Sequence, residues 1–224
     1  MLFEFSYKPY IALIGDIKSS KEIEERKKVQ DKLKSTLDKI NQDYKDDISS
    51  KFIITLGDEF QGLLKTGKNV IRIVEQIQLN MHPIAIRFGI GIGAVTTDIN
   101  YDMSIGADGP AYYKAREAIE YLKGNELKNK TYVSDIRLEV DEDTNEIADM
   151  INTILSLLTV LKENWTDRQR EIILDFIKNQ DSQKKTAKRL GIVQSTVQRG
   201  LKSGNYYTYK EAIDTVNHVF SKIN

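Results

Sequence analysis

The sequence predicts an α+β protein: an antiparallel sheet with helices packed on it, followed by an all-helical tail. Three observations carry that expectation. Short runs rich in Ile, Leu and Phe alternate with longer amphipathic segments over residues 8–135, whereas from residue 145 onward apolar residues recur only at three- and four-residue steps. The charge divides at the same place. Residues 1–150 carry 21 Lys and Arg against 26 Asp and Glu, and residues 151–224 carry 12 against 7, within a chain of 224 residues whose formal net charge is zero.

Taken in order, "YIALIGD" (10–16) is a continuous apolar run ending in Gly-Asp, which suits a strand buried on both faces. "KEIEERKKVQDKLKSTLDKINQDY" spaces Ile23, Val29, Leu33, Leu37 and Ile40 along one face of a helix. "ISSKFIITLGDEFQGLL" is a hairpin turning at Gly57-Asp58, a pair that supplies the backbone angles of a tight turn. "KNVIRIVEQIQL" is a second helix, "IAIRFGIGIGAV" a strand, and "GPAYYKAREAIEYLKG" a third helix closed by Gly124 as C-cap. "TYVS" (131–134) reads as a short edge strand. The order β, α, β, β, α, β, α, β is that of the ferredoxin-like or palm arrangement, with its helices on one face.

That topology sets the first strand beside the hairpin and brings Asp16 next to Asp58. Two carboxylates converging at one rim repel unless a cation lies between them or one is protonated. The pair is therefore expected to hold metal. Glu59, one position on, points to the other side and reads as a solvent-facing or ion-paired acid. Gly89, Gly91 and Gly93 lack the following helix of a dinucleotide fingerprint and are expected to admit close packing. Asp108 is expected to cap the third helix. His82 and His218 have no partner pattern.

A helix from Asn145 to Trp165 carries one apolar stripe, Ile147, Ile151, Ile154, Leu158, Leu161 and Trp165, that either packs on the sheet or, on a helix linking the two halves, is a natural place for subunits to pair. Beyond it, Thr166 and Gln169 form a capping box, Ser182 opens a second helix, Gly191 makes a turn, and a third helix begins near Gln194 with Val197 and Leu201 inward. This is a helix-turn-helix, similar in sequence to sigma-factor region four and response-regulator modules. Gln194, Ser195, Thr196, Gln198 and Arg199 would face base edges, and Lys184, Lys185, Lys188 and Lys202 would grip phosphates. Between Ser182 and Lys210 seven basic residues meet no acid, the footprint of nucleic-acid binding, and paired half-sites imply a homodimer. The domains expected are 1–140, 141–165 and 166–224.

The chain has no cysteine, which excludes disulfides, thiolate zinc sites and cysteine nucleophiles. No apolar run approaches the ~18 residues of a membrane span, and the expectation is a cytoplasmic protein.

"IALIGDIKSS", "FIITLGDEFQGLL", "IRFGIGIG" and "GADGPAYYKAREAI" together resemble the N-terminal domain of the SatD family and, more distantly, the class III nucleotide cyclase core, over roughly residues 8–135 in the order that core requires. The resemblance implies that Asp16 and Asp58 bridge two Mg²⁺ or Mn²⁺ ions with the Ile17 carbonyl as a further ligand. It implies that Lys18, Ser19 and Ser20 cradle a nucleotide's phosphates, that Tyr112 or Tyr113 touches the nucleotide, and that Arg116 stabilises the transition state. Lys18 is alternatively a solvated loop lysine. Where purine-selective cyclases keep a base-reading lysine, this chain has Ile54, and the diguanylate cyclase signature lacks its first glycine at Leu56. The functions expected are thus a DNA-binding regulator whose palm domain binds metal and nucleotide, a metal-dependent nucleotidyl cyclase or polymerase, or a ligand-free dimerisation scaffold.

Overall fold

The structure is a computed structural model describing residues 5–104, 106–129, 134–142 and 146–223. Five strands form one sheet: β1 (Tyr10–Ile17), β2 (Ile48–Leu56), β3 (Glu59–Leu64), β4 (Ile86–Gly93) and β5 (Ile136–Val140), in the spatial order β2-β3-β1-β4-β5. The helices are α1 (Arg26–Asp43), α2 (Val70–Met81), α3 (Pro110–Asn129), α4 (Glu146–Glu163), α5 (Asp167–Asn179), α6 (Gln183–Arg189), α7 (Gln194–Ser203) and α8 (Tyr206–Phe220).

β1 is central because it is apolar on both faces. Ile11, Leu13 and Ile17 enter the larger core with α1, α2, α4 and the C-terminal helices. Ala12 and Ile14 enter a smaller core with Ala111, Tyr112, Ala115 and Ile119 of α3. Helices therefore cover both faces, where one covered face was expected. The cause is β5. It pairs parallel to β4, Phe88 opposite Ile136, and a parallel neighbour needs a crossover, which α3 provides. The other pairings are antiparallel, so the sheet is mixed. The "TYVS" expectation lies largely outside the described residues, and β5 is built from the alternation Ile136, Leu138, Val140 that follows it.

The three glycines of β4 face α3. A Cβ on Gly91 would stand 2.0 Å from the Ala111 carbonyl oxygen, and one on Gly89 2.3 Å from that of Ala115, so backbone packs on backbone there. Gly124, expected to end α3, sits inside it; the chain stays helical to Asn129.

α4 lies on β5, where the Asn152 side chain accepts from the Leu138 N–H at 2.8 Å and donates to its carbonyl at 2.9 Å. α8 returns against α2 and α4, with Val216 and Phe220 wholly buried in the larger core. The Gly67 N–H donates to the Ile223 carbonyl at 3.0 Å, and a Cβ at Gly67 would meet the Phe220 oxygen at 2.0 Å. The C-terminal helices thus share one apolar cluster with the sheet.

Candidate functional site

The antiparallel register sets Asp16 opposite Glu59 on one side and Arg87 on the other. Asp16 continues the face of Ala12 and Ile14, so its carboxylate is buried under α3. There its two oxygens meet two different cations: Lys123 Nζ donates to one at 2.8 Å, and the Arg87 guanidinium donates to the other. Glu59 shares this face, and Arg116 of α3 grips it with both terminal nitrogens, one at 2.7 Å from Oε1. Glu59 is therefore ion-paired, one of the two roles expected for it. The hydrogen bonds that Arg116 donates to Glu59, the largest cause, raise the Arg116 pKa further and hold its charge.

From Arg87 the ionic chain continues. Arg87 Nη2 lies 2.5 Å from Glu126, Lys18 Nζ 2.9 Å from Glu126 and 3.0 Å from Asp135, and Lys162 Nζ 3.2 Å from Asp135. Burial pushes the Asp135 carboxyl up, but Lys162 and Lys18 outweigh it and hold the group below its ordinary value. Desolvation likewise opposes the charge on Lys18, yet Asp135 and Glu126 raise its pKa overall.

The expected metal pair is brought together only by backbone. The Ile17 N–H donates to the Asp58 carbonyl at 3.0 Å, so the hairpin tip does reach the end of β1. The side chains diverge. Asp58 accepts from the Ser20 hydroxyl and faces a shallow pocket with Gly57, Arg26 and Gln30, on the side away from α3. Among the described residues, no three His, Cys, Asp or Glu side chains are grouped to hold a metal ion. Asp16, Ile17 and Asp58 as arranged do not fit Mg²⁺ or Mn²⁺. Hard cations want several free oxygens, and the two on Asp16 already neutralise fixed positive charges.

The expected nucleotide contacts are dispersed too. Lys18 is spent on Glu126 and Asp135, and is no solvated loop lysine. Ser20 belongs to a single 3₁₀ turn (Ser20–Glu22), and α1 starts only at Arg26, so no helix N-terminus stands at Lys18–Ser20. Ser19 is exposed with left-handed backbone angles. Tyr112 is buried in the smaller core, where burial pushes its pKa to about 12. Tyr113 is exposed and donates to Asp108 at 2.7 Å; Asp108 also accepts from the Gly109 N–H at 3.0 Å, at the start of α3.

The C-terminal helices form as the sequence predicts. Thr166 and Gln169 complete the capping box, Ser182 accepts from the Lys185 N–H, and Gly191 has φ 63° between α6 and α7. α5 and α7 cross closely at Gly200, where a Cβ would meet Ile172 at 2.7 Å. Val197, Gly200 and Leu201 are buried, while Gln194, Ser195, Gln198, Arg199 and Lys202 are exposed on the outer side of α7 and Thr196 is half-buried. Lys184, Lys185 and Lys188 are exposed on α6. Two of the seven basic residues are compensated after all: Arg189 is clamped by Asp175 and Asp181, each at 2.6 Å, and Lys210 pairs with Asp214. Those acids lie outside the stretch 182–210, which is why the local count missed them. Val193, 65% exposed at the N-terminal end of α7, adds an apolar group to that face which the sequence reading passed over.

A five-stranded mixed sheet covered by helices on both faces, followed by a C-terminal helical region with helix-turn-helix geometry, defines the class. The chain belongs to the SatD family, whose family model matches residues 10–219. Among solved structures it is similar to a bacterial light-regulated adenylyl cyclase, at 15% identity over 58% of this chain and 74% of that one, with TM-score 0.41. It is also similar to the catalytic core of a rhodopsin-guanylyl cyclase (19% identity, 49% and 71% covered, TM-score 0.32) and to a regulator of polyketide synthase expression from Bifidobacterium adolescentis (13% identity, 95% and 85% covered, TM-score 0.31). No curated protein matches the chain. No helix among the described residues is long and apolar enough to cross a membrane.

Proposed function

We propose that this SatD-family chain is a DNA-binding regulator that reads duplex DNA with α7 in the major groove. The observation that carries the reading is the two-sidedness of α7. Its inner side is consumed by the fold, and its outer side presents Gln194, Ser195, Gln198, Arg199 and Lys202 to solvent with no ion pair among the described residues. Arg and Gln make bidentate contacts with guanine and adenine edges, and Val193 suits a thymine methyl. Lys184, Lys185, Lys188 and Lys202 supply the phosphate contacts that set register.

A homodimer belongs to the same reading, since helix-turn-helix proteins read paired half-sites. Met150, Leu157 and Val160 form an exposed apolar stripe on α4 that a second copy would cover. The sheet serves as scaffold. No nucleotidyl transfer is assigned to it, because Asp16 is already neutralised by Arg87 and Lys123, Arg116 is held by Glu59, and the Asp58 side chain points away from Asp16.

Fluorescence anisotropy with mixed-sequence and genomic duplexes at several salt concentrations tests the proposal. Binding should weaken steeply with salt and drop when Lys184, Lys185, Lys188 and Lys202 are changed to Gln. Salt-independent binding, or full binding by that variant, rejects it. Light scattering of Leu157→Asp checks the dimer, which should become monomeric.

A further inference from the structure

A cleft of about 390 Å³ lies between the end of the sheet and the C-terminal helices. Small-molecule sites fall at roughly 300–1,000 Å³ and sit preferentially between domains. One wall comes from the sheet region through Leu79 and Ile84, the other from α5 and its approach through Trp165, Arg170 and Leu174. The walls are mainly apolar, so an occupant needs an apolar body.

The cleft holds charges of both signs. Lys18 and Lys162 share the carboxylate of Asp135, Lys18 pairs with Glu126 as well, and Glu75 and Glu163 also line it. Arg170 differs from both lysines. Its Nη2 donates to the Lys162 carbonyl at 2.7 Å and its guanidinium lies 5.9 Å from the Trp165 ring centroid, yet it forms no ion pair among the described residues. A guanidinium carries five N–H donors in a fork that matches a carboxylate. With one donor engaged, the fork still has capacity for a ligand.

We infer that this cleft binds a small organic acid, its carboxylate on Arg170 and its apolar body between Trp165 and Leu79. Such a ligand touches the sheet region with one end and the helix-turn-helix region with the other, which is the placement of an effector. The inference does not depend on DNA binding, and its test uses no DNA.

Trp165 is the only tryptophan in the chain, so emission excited at about 295 nm, where tyrosine hardly absorbs, comes from a residue of the cleft wall. The full chain is titrated with benzoate, phenylacetate and hexanoate at constant ionic strength, with phenylacetamide, phenethylamine and AMP as comparators. At least one acid should give a saturable change in emission, with phenylacetamide weaker than phenylacetate by roughly tenfold to a hundredfold, the worth of one charged hydrogen bond. Arg170→Gln should lose that factor for the acid and leave the amide response unchanged, which separates a lost contact from a lost fold. Leu79→Phe, which narrows the cleft from the opposite wall, should weaken the acid without touching the guanidinium. The inference is overturned by the absence of a saturable response to all three acids. Equal affinity for acid and amide, or AMP alone binding, overturns it as well.

Discussion

The Lys123 ammonium of α3 lies 2.8 Å from one carboxylate oxygen of Asp16 in β1, across 107 positions of sequence. With Arg87 on the other oxygen, the acid expected as a metal ligand sits at the centre of an internal ion cluster, and that has measurable consequences.

Asp16→Asn should destabilise the fold by roughly 3 kcal/mol, the usual cost of removing one partner from a buried pair. Lys123→Gln should cost less, about 1 kcal/mol or below, because its side chain is 42% exposed and better screened. Urea denaturation measures both. Millimolar Mn²⁺ should leave the wild-type melting temperature in place. A rise of several degrees that Asp16→Asn abolishes would restore the two-metal reading.

Glycines in and beneath α3 should respond in opposite directions. Gly91→Ala forces a methyl into the Ala111 carbonyl and should cost about 1–3 kcal/mol or more by overpacking. Gly124→Ala finds nothing within 4 Å and should stabilise the helix by up to about 1 kcal/mol. Paired thermal melts give the sign of each.

Two acids at the base of the C-terminal helices should give opposite pH signatures. Burial raises the Glu75 pKa above 4.5 despite the hydrogen bond from Tyr209, so its contribution is full below pH 4.5 and is lost as pH rises through the raised value. Glu75→Gln should therefore gain on the wild type as pH climbs from 4.5 to neutral. Asp135 is held below 3.8, so its contribution is present above that pH and lost as pH falls. The deficit of Asp135→Asn should be larger at pH 7 than at pH 3. Denaturation at a series of pH values separates them.

On DNA, Arg199→Ala should cost about 1–3 kcal/mol and relax preference at one base pair, whereas Lys202→Ala should weaken all sequences alike and lower the salt slope by about 1. Arg189→Ala is expected to act on stability, because its guanidinium is already held by Asp175 and Asp181. Anisotropy against operator and scrambled duplexes distinguishes the three.

The helix-turn-helix region was legible because each of its signals is local. Thr166 with Gln169, Ser182, and Gly191 each announce a cap or turn within four residues of the structure they produce. The hairpin tip reaching the end of β1 was legible from strand order, and the close packing at Gly89 and Gly91 from their period of two. What the sequence did not disclose was which way the Asp16 and Asp58 side chains leave a shared rim. That depends on strand parity continuing through a turn, and on Arg87 and Lys123, 71 and 107 positions away. Nor does a local charge count see Asp175 and Asp181 reach Arg189. The parallel placement of β5 escaped because an edge strand was sought in "TYVS", although Ile136, Leu138 and Val140 carried the cleaner alternation.

The bond from Gly67 to Ile223 fastens the segment just beyond α8 to the loop ahead of α2 by main chain, with no room for a side chain between. A main-chain latch of that kind holds the two segments together while leaving their angle to the surrounding packing. In the proposed regulator, a message to the helix-turn-helix would then travel as a slight reorientation of a tethered block. Under the proposed reading, in a two-fold pair such a tilt would be applied twice and would alter the separation of two recognition helices set to span one helical repeat of the duplex, about 34 Å.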